Sequence, residues 1–399
     1  MDLALETPGL LSLAAGFTDT ESLPVDSFAE IVRRVTRRDG PPEYLQYGSN
    51  QGRSGLREAI AERLAQYDGG TPDAFDPDRA VVTNGSQQAL QLASDVLCDA
   101  GDIVLVERPT YFVYLDVLRG LGVEPRSIPS DPESGRLDPE AFARMLTEMR
   151  DAGDHRRIKA LYLISYFSNP ASRSPEVDEK EELASVLQEA GLTIPVIEDA
   201  AYRELYYESA PAASSILSLE GFAKFPKLYL GTCTKPFATG LKVGYGYCSD
   251  EEWLRRILYL KGAHDFGTAN LNQAVVEEAL VSGAFERHLE TIRPIYHRKM
   301  RALNEGLVES GLRELGWSWT VPAGGMYLWL RAPGEMETGF DSEFCRTCLE
   351  KGVLYVPGEL CYGDRPERSF VRLSFGVLSE ESLREAAQRF AEAARSLAA

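Results

Sequence analysis

The sequence predicts an α/β fold, a mostly parallel central sheet sandwiched by helices, with a smaller α+β domain built from both chain ends. Three observations carry this. The middle of the chain alternates short β-rich runs with helically patterned segments. The two ends read differently, as helices with a few scattered strands. The length of 399 residues exceeds what one hydrophobic core usually spans. The expected division is a large domain over 45–290 and a small one from 1–44 and 291–399.

Near the N-terminus, Phe28, Ile31, Val32 and Val35 recur at i, i+3, i+4 and i+7, the stripe of an amphipathic helix. Seven strands follow at Ala80–Thr83, Ile103–Glu107, Val123–Ile128, Ala160–Ile164, Ile194–Glu198, Lys227–Gly231 and Val243–Cys248. Helical spacing fills gaps between them, as at Ser86–Leu97 and Glu179–Ala190. Pro294 lies inside a helical stretch and predicts a kink where the chain leaves the large domain. Beyond it, Met326–Leu330 and Phe370–Phe375 read as strands, and Leu383–Leu397 as a final helix.

Charge narrows the function. Lys and Arg total 42 against 61 Asp and Glu, a net −19 that repels phosphate backbones and anionic membranes. The first residues lack a basic n-region, and Glu6, Pro8 and Gly9 break their apolar stretch, unlike a signal peptide. No run approaches the roughly 18 apolar residues of a membrane span, so the expected location is cytoplasmic. Six cysteines in so long a chain do not suggest a disulfide framework. The lone C-x-x-C of Cys345 and Cys348 reads as two ordinary thiols on a helix, and no metal site is expected.

The chain has no P-loop, and no G-x-G-x-x-G follows a strand and opens a helix. Thr83-Asn84-Gly85-Ser86-Gln87-Gln88 does join a strand to a helix. Gly85 permits a tight turn, and the Ser86 and Gln87 amides then outline a phosphate site. A plain strand–turn–helix junction fits as well. Glu198-Asp199-Ala200-Ala201-Tyr202 ends a strand, where a carboxylate points into the ligand crevice. A helix cap is the equal alternative for Asp199. In Gly231-Thr232-Cys233-Thr234-Lys235-Pro236, a lysine follows a strand among small polar residues. Partial burial would lower its pKa and make it a nucleophile for carbonyls, although a lone lysine is ordinarily a surface one. His264 and Asp265 fit either a site mouth or dimer interface or a structural role, and Tyr206, Tyr207 and Trp329 read as packing.

Arriving in this order, these motifs resemble the fold-type I pyridoxal 5′-phosphate (PLP) enzymes, specifically class I/II aminotransferases near the aminoadipate, kynurenine and aromatic branch. The resemblance spans Leu13 to Phe375. It includes Leu45-Gln46-Tyr47-Gly48, Gly55-Leu56-Arg57-Glu58-Ala59, Asn84-Gly85-Ser86-Gln87-Gln88-Ala89-Leu90 and Glu107-Arg108-Pro109-Thr110-Tyr111. Ser168-Asn169-Pro170, Glu198–Tyr202, Thr234-Lys235, Gly240–Gly244, Pro322–Met326 and Val371-Arg372-Leu373 complete it.

The resemblance implies a PLP-dependent aminotransferase, exchanging an amino group between an α-amino acid and a 2-oxo acid by a ping-pong mechanism. It implies a Schiff base on Lys235, which then acts as general base, and Asp199 paired with the pyridine nitrogen. It gives Tyr202 and Asn169 to the ring's phenolic oxygen, and Tyr111 to the ring face. Ser86, Gln87 and Thr232 fall to the phosphate, and Tyr47 would reach the phosphate of a partner subunit, which implies a homodimer with shared sites. Arg372 would take the substrate α-carboxylate, with Gly16 and Asn169 also at the substrate. Three positions depart from the pattern. Lys242 stands where arginine usually grips the phosphate, Ala171-Ser172 replace Thr-Gly, and Thr234 replaces serine. Alternatives on the same fold are a β-lyase, a decarboxylase or an oxidase, since all need the same lysine, aspartate and phosphate cup. An amino-acid sensor is disfavoured because no basic DNA-binding module precedes residue 13. Side-chain selectivity is expected to depend on Gly16-Phe17-Thr18-Asp19 and on movement of the small domain.

Overall fold

The computed structural model describes residues 9–37, 40–132 and 134–397. Of the N-terminal segment expected at 1–44, residues 1–8, 38 and 39 lie outside the described residues. The strands are β1 (Leu11–Ser12), β2 (Ala80–Asn84), β3 (Ile103–Val106), β4 (Glu124–Ser127), β5 (Ile158–Ile164), β6 (Val196–Asp199) and β7 (Lys227–Thr232). After them come β8 (Val243–Cys248), β9 (Ser318–Trp319), β10 (Tyr327–Arg331), β11 (Val353–Leu354), β12 (Val356–Pro357) and β13 (Phe370–Ser374).

A seven-stranded sheet has the order β2-β8-β7-β6-β5-β3-β4. The pairs β6/β7, β5/β6, β3/β5 and β3/β4 are parallel, while β8 runs against both its neighbours. The central strands are apolar runs because both of their faces are covered. Val104 and Val106 pack on one side with Leu90, Ala93, Leu115 and Leu118 from helices Gly85–Leu97 and Phe112–Gly120. Ile103 and Leu105 alternate to the other side, where they meet Phe142, Leu146 and Leu183 from helices Pro139–Asp151 and Val177–Glu189.

A four-stranded antiparallel sheet, β12-β13-β10-β9, forms the second layer system. Helix Glu380–Leu397 closes its core through Phe390, against Trp317 and Phe344. The stretch holding Pro294 is one continuous helix, Ala284–Glu309. Its N-terminal part packs Phe285 on Phe237 beside the large sheet, and its C-terminal part packs Gly306 on Ala387. It therefore spans both parts of the molecule. Short parallel pairing of β1 with β11 lays the N-terminal segment beside the C-terminal part. Cys345 and Cys348 are buried on helix Glu343–Glu350.

Candidate active site

The parallel strands end at one edge of the large sheet, and the chain places its chemistry there. Asp199 is the last residue of β6 and Thr232 the last of β7, while Gly85 opens the helix after β2. Together these ends enclose a cavity of about 170 Å³ lined by Ser86, Gln87, Tyr111, Asn169, Asp199, Tyr202, Thr232, Lys235 and Lys242. Nine predicted residues thus meet in one place.

One wall joins a helix start to a lysine. Gly85 adopts φ 69°, which turns the chain sharply into its helix. Ser86 and Gln87 then lie in the first turn, where amides have no earlier carbonyl to pair with. Asp265 braces this turn by accepting from Asn84 Nδ2 (2.9 Å) and Gln88 Nε2 (2.8 Å), and is itself held by Lys261 (2.9 Å). Gly244 lets β8 press against the turn, since a Cβ there would lie 2.4 Å from the Gly85 carbonyl carbon. Lys242 brings its charge to the same cavity from a left-handed backbone, φ 55°. A non-glycine residue held in that region stores strain of the kind concentrated at functional sites.

The opposite chemistry sits on β6. Strand alternation sends Glu198 away from the cavity, into a buried pair with Lys180 (3.1 Å). Asp199 faces the cavity, accepting from Ala201 N–H (3.0 Å) and the Tyr162 hydroxyl (3.0 Å). Burial pushes its carboxyl up to about 6, against the pull of those two donors. Such a carboxylate gains most from a neighbouring cation, which suits it to a protonated ring nitrogen. Lys235 shows the reverse effect. Burial, then the charges of Lys242 and Arg372, lowers its amine to about 8, and it donates to Gly16 O at 2.6 Å. A buried amine of lowered basicity, a helix-opening turn and a buried acid on one cavity fit the groups that PLP would need.

Arg372 arrives from β13 of the other sheet. It is 3% exposed and donates to Asn169 Oδ1 (2.8 Å) and Ala14 O (2.6 Å), while among the described residues its Nε has no partner. Gly16 lies against the Tyr327 hydroxyl, 2.7 Å from where a Cβ would stand. Tyr47 is not part of this cavity in the single chain. It is 79% exposed and packs edge-on to Phe266. His264 is exposed, Tyr207 stacks on His297, Arg293 lies over Tyr206, and Trp329 stacks on Phe370. The Ala171-Ser172 departure forms a turn with Ser172 at φ 50°, anchored by its hydroxyl on Tyr327 O (2.8 Å).

Sequence reasoning missed Tyr162 and Tyr327. Tyr162 holds Asp199, and Tyr327 touches the Tyr202 hydroxyl at 2.8 Å and lies under Arg372, 4.3 Å from ring centre to guanidinium. Tyr327 directly follows the Pro322–Met326 landmark, the one signal that pointed near it.

Comparison with known proteins shows the family of the chain. The family described as "Aminotransferase class I and II" matches residues 8–390. The chain is 32% identical to a 2-aminoadipate transaminase of Thermus thermophilus over 396 residues, 99% of this chain and 92% of that protein. The crystal structure of a kynurenine aminotransferase from Pyrococcus horikoshii superposes with a TM-score of 0.87 at 30% identity, covering 98% of this chain and 92% of that one. An α-aminoadipate aminotransferase of Thermus thermophilus, complexed with N-(5′-phosphopyridoxyl)-L-leucine, gives a TM-score of 0.82 at 31% identity, covering 98% and 93%.

Proposed function

This chain belongs to the class I and II aminotransferases, and we propose that it carries out its PLP-dependent amino-group transfer through Lys235, Asp199 and Arg372. The substrates are an α-amino acid and a 2-oxo acid. Bound PLP supplies an electron sink for the pair left at the substrate Cα when its proton departs.

The protein's residues do the rest. Asp199, kept anionic by the pyridine nitrogen's proton, holds that proton in place. Lys235, with its amine lowered to about 8, is available near neutral pH to take and hold the Cα proton. Ser86 and Gln87 amides, the Thr232 hydroxyl and Lys242 hold the phosphate, and Tyr111 covers one ring face. Tyr202 and Asn169 address the phenolic oxygen. Arg372 orients the α-carboxylate, with Gly16 and Asn169 beside it. Tyr47, exposed on this chain, serves the phosphate of a second copy, so the working unit is a homodimer with shared sites. The enzyme acts in the cytoplasm.

The observation that carries this reading is one cavity shared by Lys235, Asp199 and the Ser86–Gln87 turn. Its test is a half-reaction. Excess amino acid without an oxo-acid acceptor should release one equivalent of oxo acid per site and stop, and an acceptor should restart turnover. Ammonia, carbon dioxide or oxygen uptake in proportion to turnover would replace this reading with a lyase, decarboxylase or oxidase.

A further inference from the structure

We propose that Tyr327 is a positioning residue whose hydroxyl donates to Tyr202 and so strengthens the hydrogen bond that Tyr202 gives to the cofactor. This rests on the reading above that Tyr202 addresses the phenolic oxygen.

The geometry fixes Tyr327 firmly. It opens β10, opposite Ser374 of β13, and its carbonyl accepts from the Ser172 hydroxyl at 2.8 Å. The ring is 1% exposed, with the Tyr202 ring edge-on at 5.7 Å. Gly16 packs directly on its hydroxyl, where any side chain would collide. That oxygen sits 2.8 Å from the Tyr202 hydroxyl.

The direction of this bond follows from the count of protons. A phenol has one proton to give and two lone pairs to accept with. Tyr202 lines the cofactor cavity, and Tyr327 is not among its lining residues. Were Tyr202 to give its proton to Tyr327, it would have none for the cofactor. Donation from Tyr327 leaves the Tyr202 proton facing the cavity, and a hydroxyl that accepts a bond donates more strongly. The ionisable groups around the pair are Tyr111 and Arg372 beside Tyr202, and Tyr111, Tyr296 and Arg372 beside Tyr327. Burial holds the Tyr202 phenol well above the ordinary tyrosine range. Tyr202 therefore keeps its proton throughout the working pH range.

A stronger bond onto the phenolic oxygen draws electron density from it. The Lys235 nitrogen, once joined to the cofactor, would then be less well stabilised in its protonated form and would release its proton at lower pH. The test is the pH titration of visible absorbance of the PLP-loaded enzyme. Tyr327→Phe keeps the ring and its packing under Arg372 and removes only the hydroxyl. Its absorbance midpoint should rise by about half a pH unit, roughly threefold in the proton equilibrium. Tyr202→Phe should raise the midpoint further, and adding Tyr327→Phe to Tyr202→Phe should move it no more. A shift in Tyr202→Phe with none in Tyr327→Phe overturns the proposal and leaves the Tyr202 reading standing. No shift in either refutes the Tyr202 reading itself. An additive shift in the double variant, or a raised amino-acid KM with an unmoved midpoint, would show that Tyr327 acts only through packing around Arg372, and would also overturn it.

Discussion

Gly244→Ala is the most direct probe of the phosphate turn, because it disturbs the turn without removing any group that touches the cofactor. Gly244 pairs with Thr83 on one side and Thr232 on the other, in the middle of the sheet edge that carries the site. An alanine Cβ would lie 2.4 Å from Gly85 C and 2.5 Å from Ser86 N, whereas ordinary contact begins at 3.4 Å. The turn must retreat by the difference, 3.4 − 2.4, or about 1 Å. Backbone atoms cannot rotate away as a side-chain tip can. A hydrogen bond of about 2.9 Å stretched by that amount is no longer one. Losing one charge-assisted bond to phosphate costs about 1.5–3 kcal/mol, so the PLP dissociation constant should rise about 10- to 150-fold. The same overpacking should lower stability by about 1–3 kcal/mol.

Gly246→Ala is the internal control on the same strand. Its Cβ would first meet Leu228 Cδ1 at 3.1 Å, a flexible side-chain end. PLP affinity in this variant should stay within about twofold of wild type, since no contact to phosphate is strained. The assay is titration of apoenzyme with PLP, followed by absorbance, alongside urea unfolding. Gly244→Ala that loses stability yet binds PLP as tightly as wild type would refute the assignment of the phosphate to the Ser86–Gln87 turn.

Four further outcomes are expected. Asp199→Asn should retain the fold and lose about 100-fold or more in kcat/KM, the scale of a lost proton-holding group; a loss within threefold would contradict its pairing with the ring nitrogen. Lys242→Ala should raise the PLP dissociation constant about tenfold or more, and Lys242→Arg should not, as equilibrium titration of the two would show. Capture of PLP by apoenzyme should accelerate as pH rises through about 8 and then level off, because the depressed Lys235 amine is neutral above that value and protonated below it; a midpoint near the ordinary lysine value of ~10.4 would contradict this. Arg372→Ala should cost about 10- to 150-fold in kcat/KM for amino acids, with PLP affinity and turnover of a simple amine nearly unchanged; equal losses for both substrates would make its role structural.

The large sheet was legible because its strands are buried on both faces and read as unbroken apolar runs, as in Ile103-Val104-Leu105-Val106. Asp199 and Lys235 lie at or just after strand ends, which left a helix cap and a surface lysine open, and they stood out only through the order of motifs around them. The two-residue strands β1, β9, β11 and β12 were invisible, since two residues carry no period. Tyr162 and Tyr327 were hidden for another reason. Tyrosine inside a strand usually means packing, and only tertiary contact shows that the Tyr162 hydroxyl meets a carboxylate 37 positions away. The same holds for Arg372 and Asn169, joined across 203 positions. Charge and strand-end placement survive in one dimension, whereas hydroxyl partnerships do not.

The N-terminal segment from Leu13 to Asp19 shows how the two sheets are made to share one site. Its ends are held by groups outside the chemistry. Leu13 N–H donates to Leu354 O (2.8 Å) and Leu13 O accepts from Ser374 N–H (2.6 Å), while Asp19 is locked to buried Lys299 at 2.6 Å. Between those anchors, two carbonyls of the segment each take one N–H from a cationic side chain of the site. Ala14 O takes an Arg372 N–H, and Gly16 O takes the Lys235 amine. Arg372 has five N–H donors, and the two given to Asn169 and Ala14 leave three, Nε–H among them, for the α-carboxylate proposed above. The segment thus orients the guanidinium without using up its donors, and the Ser374 and Lys299 anchors fix the place from which it does so.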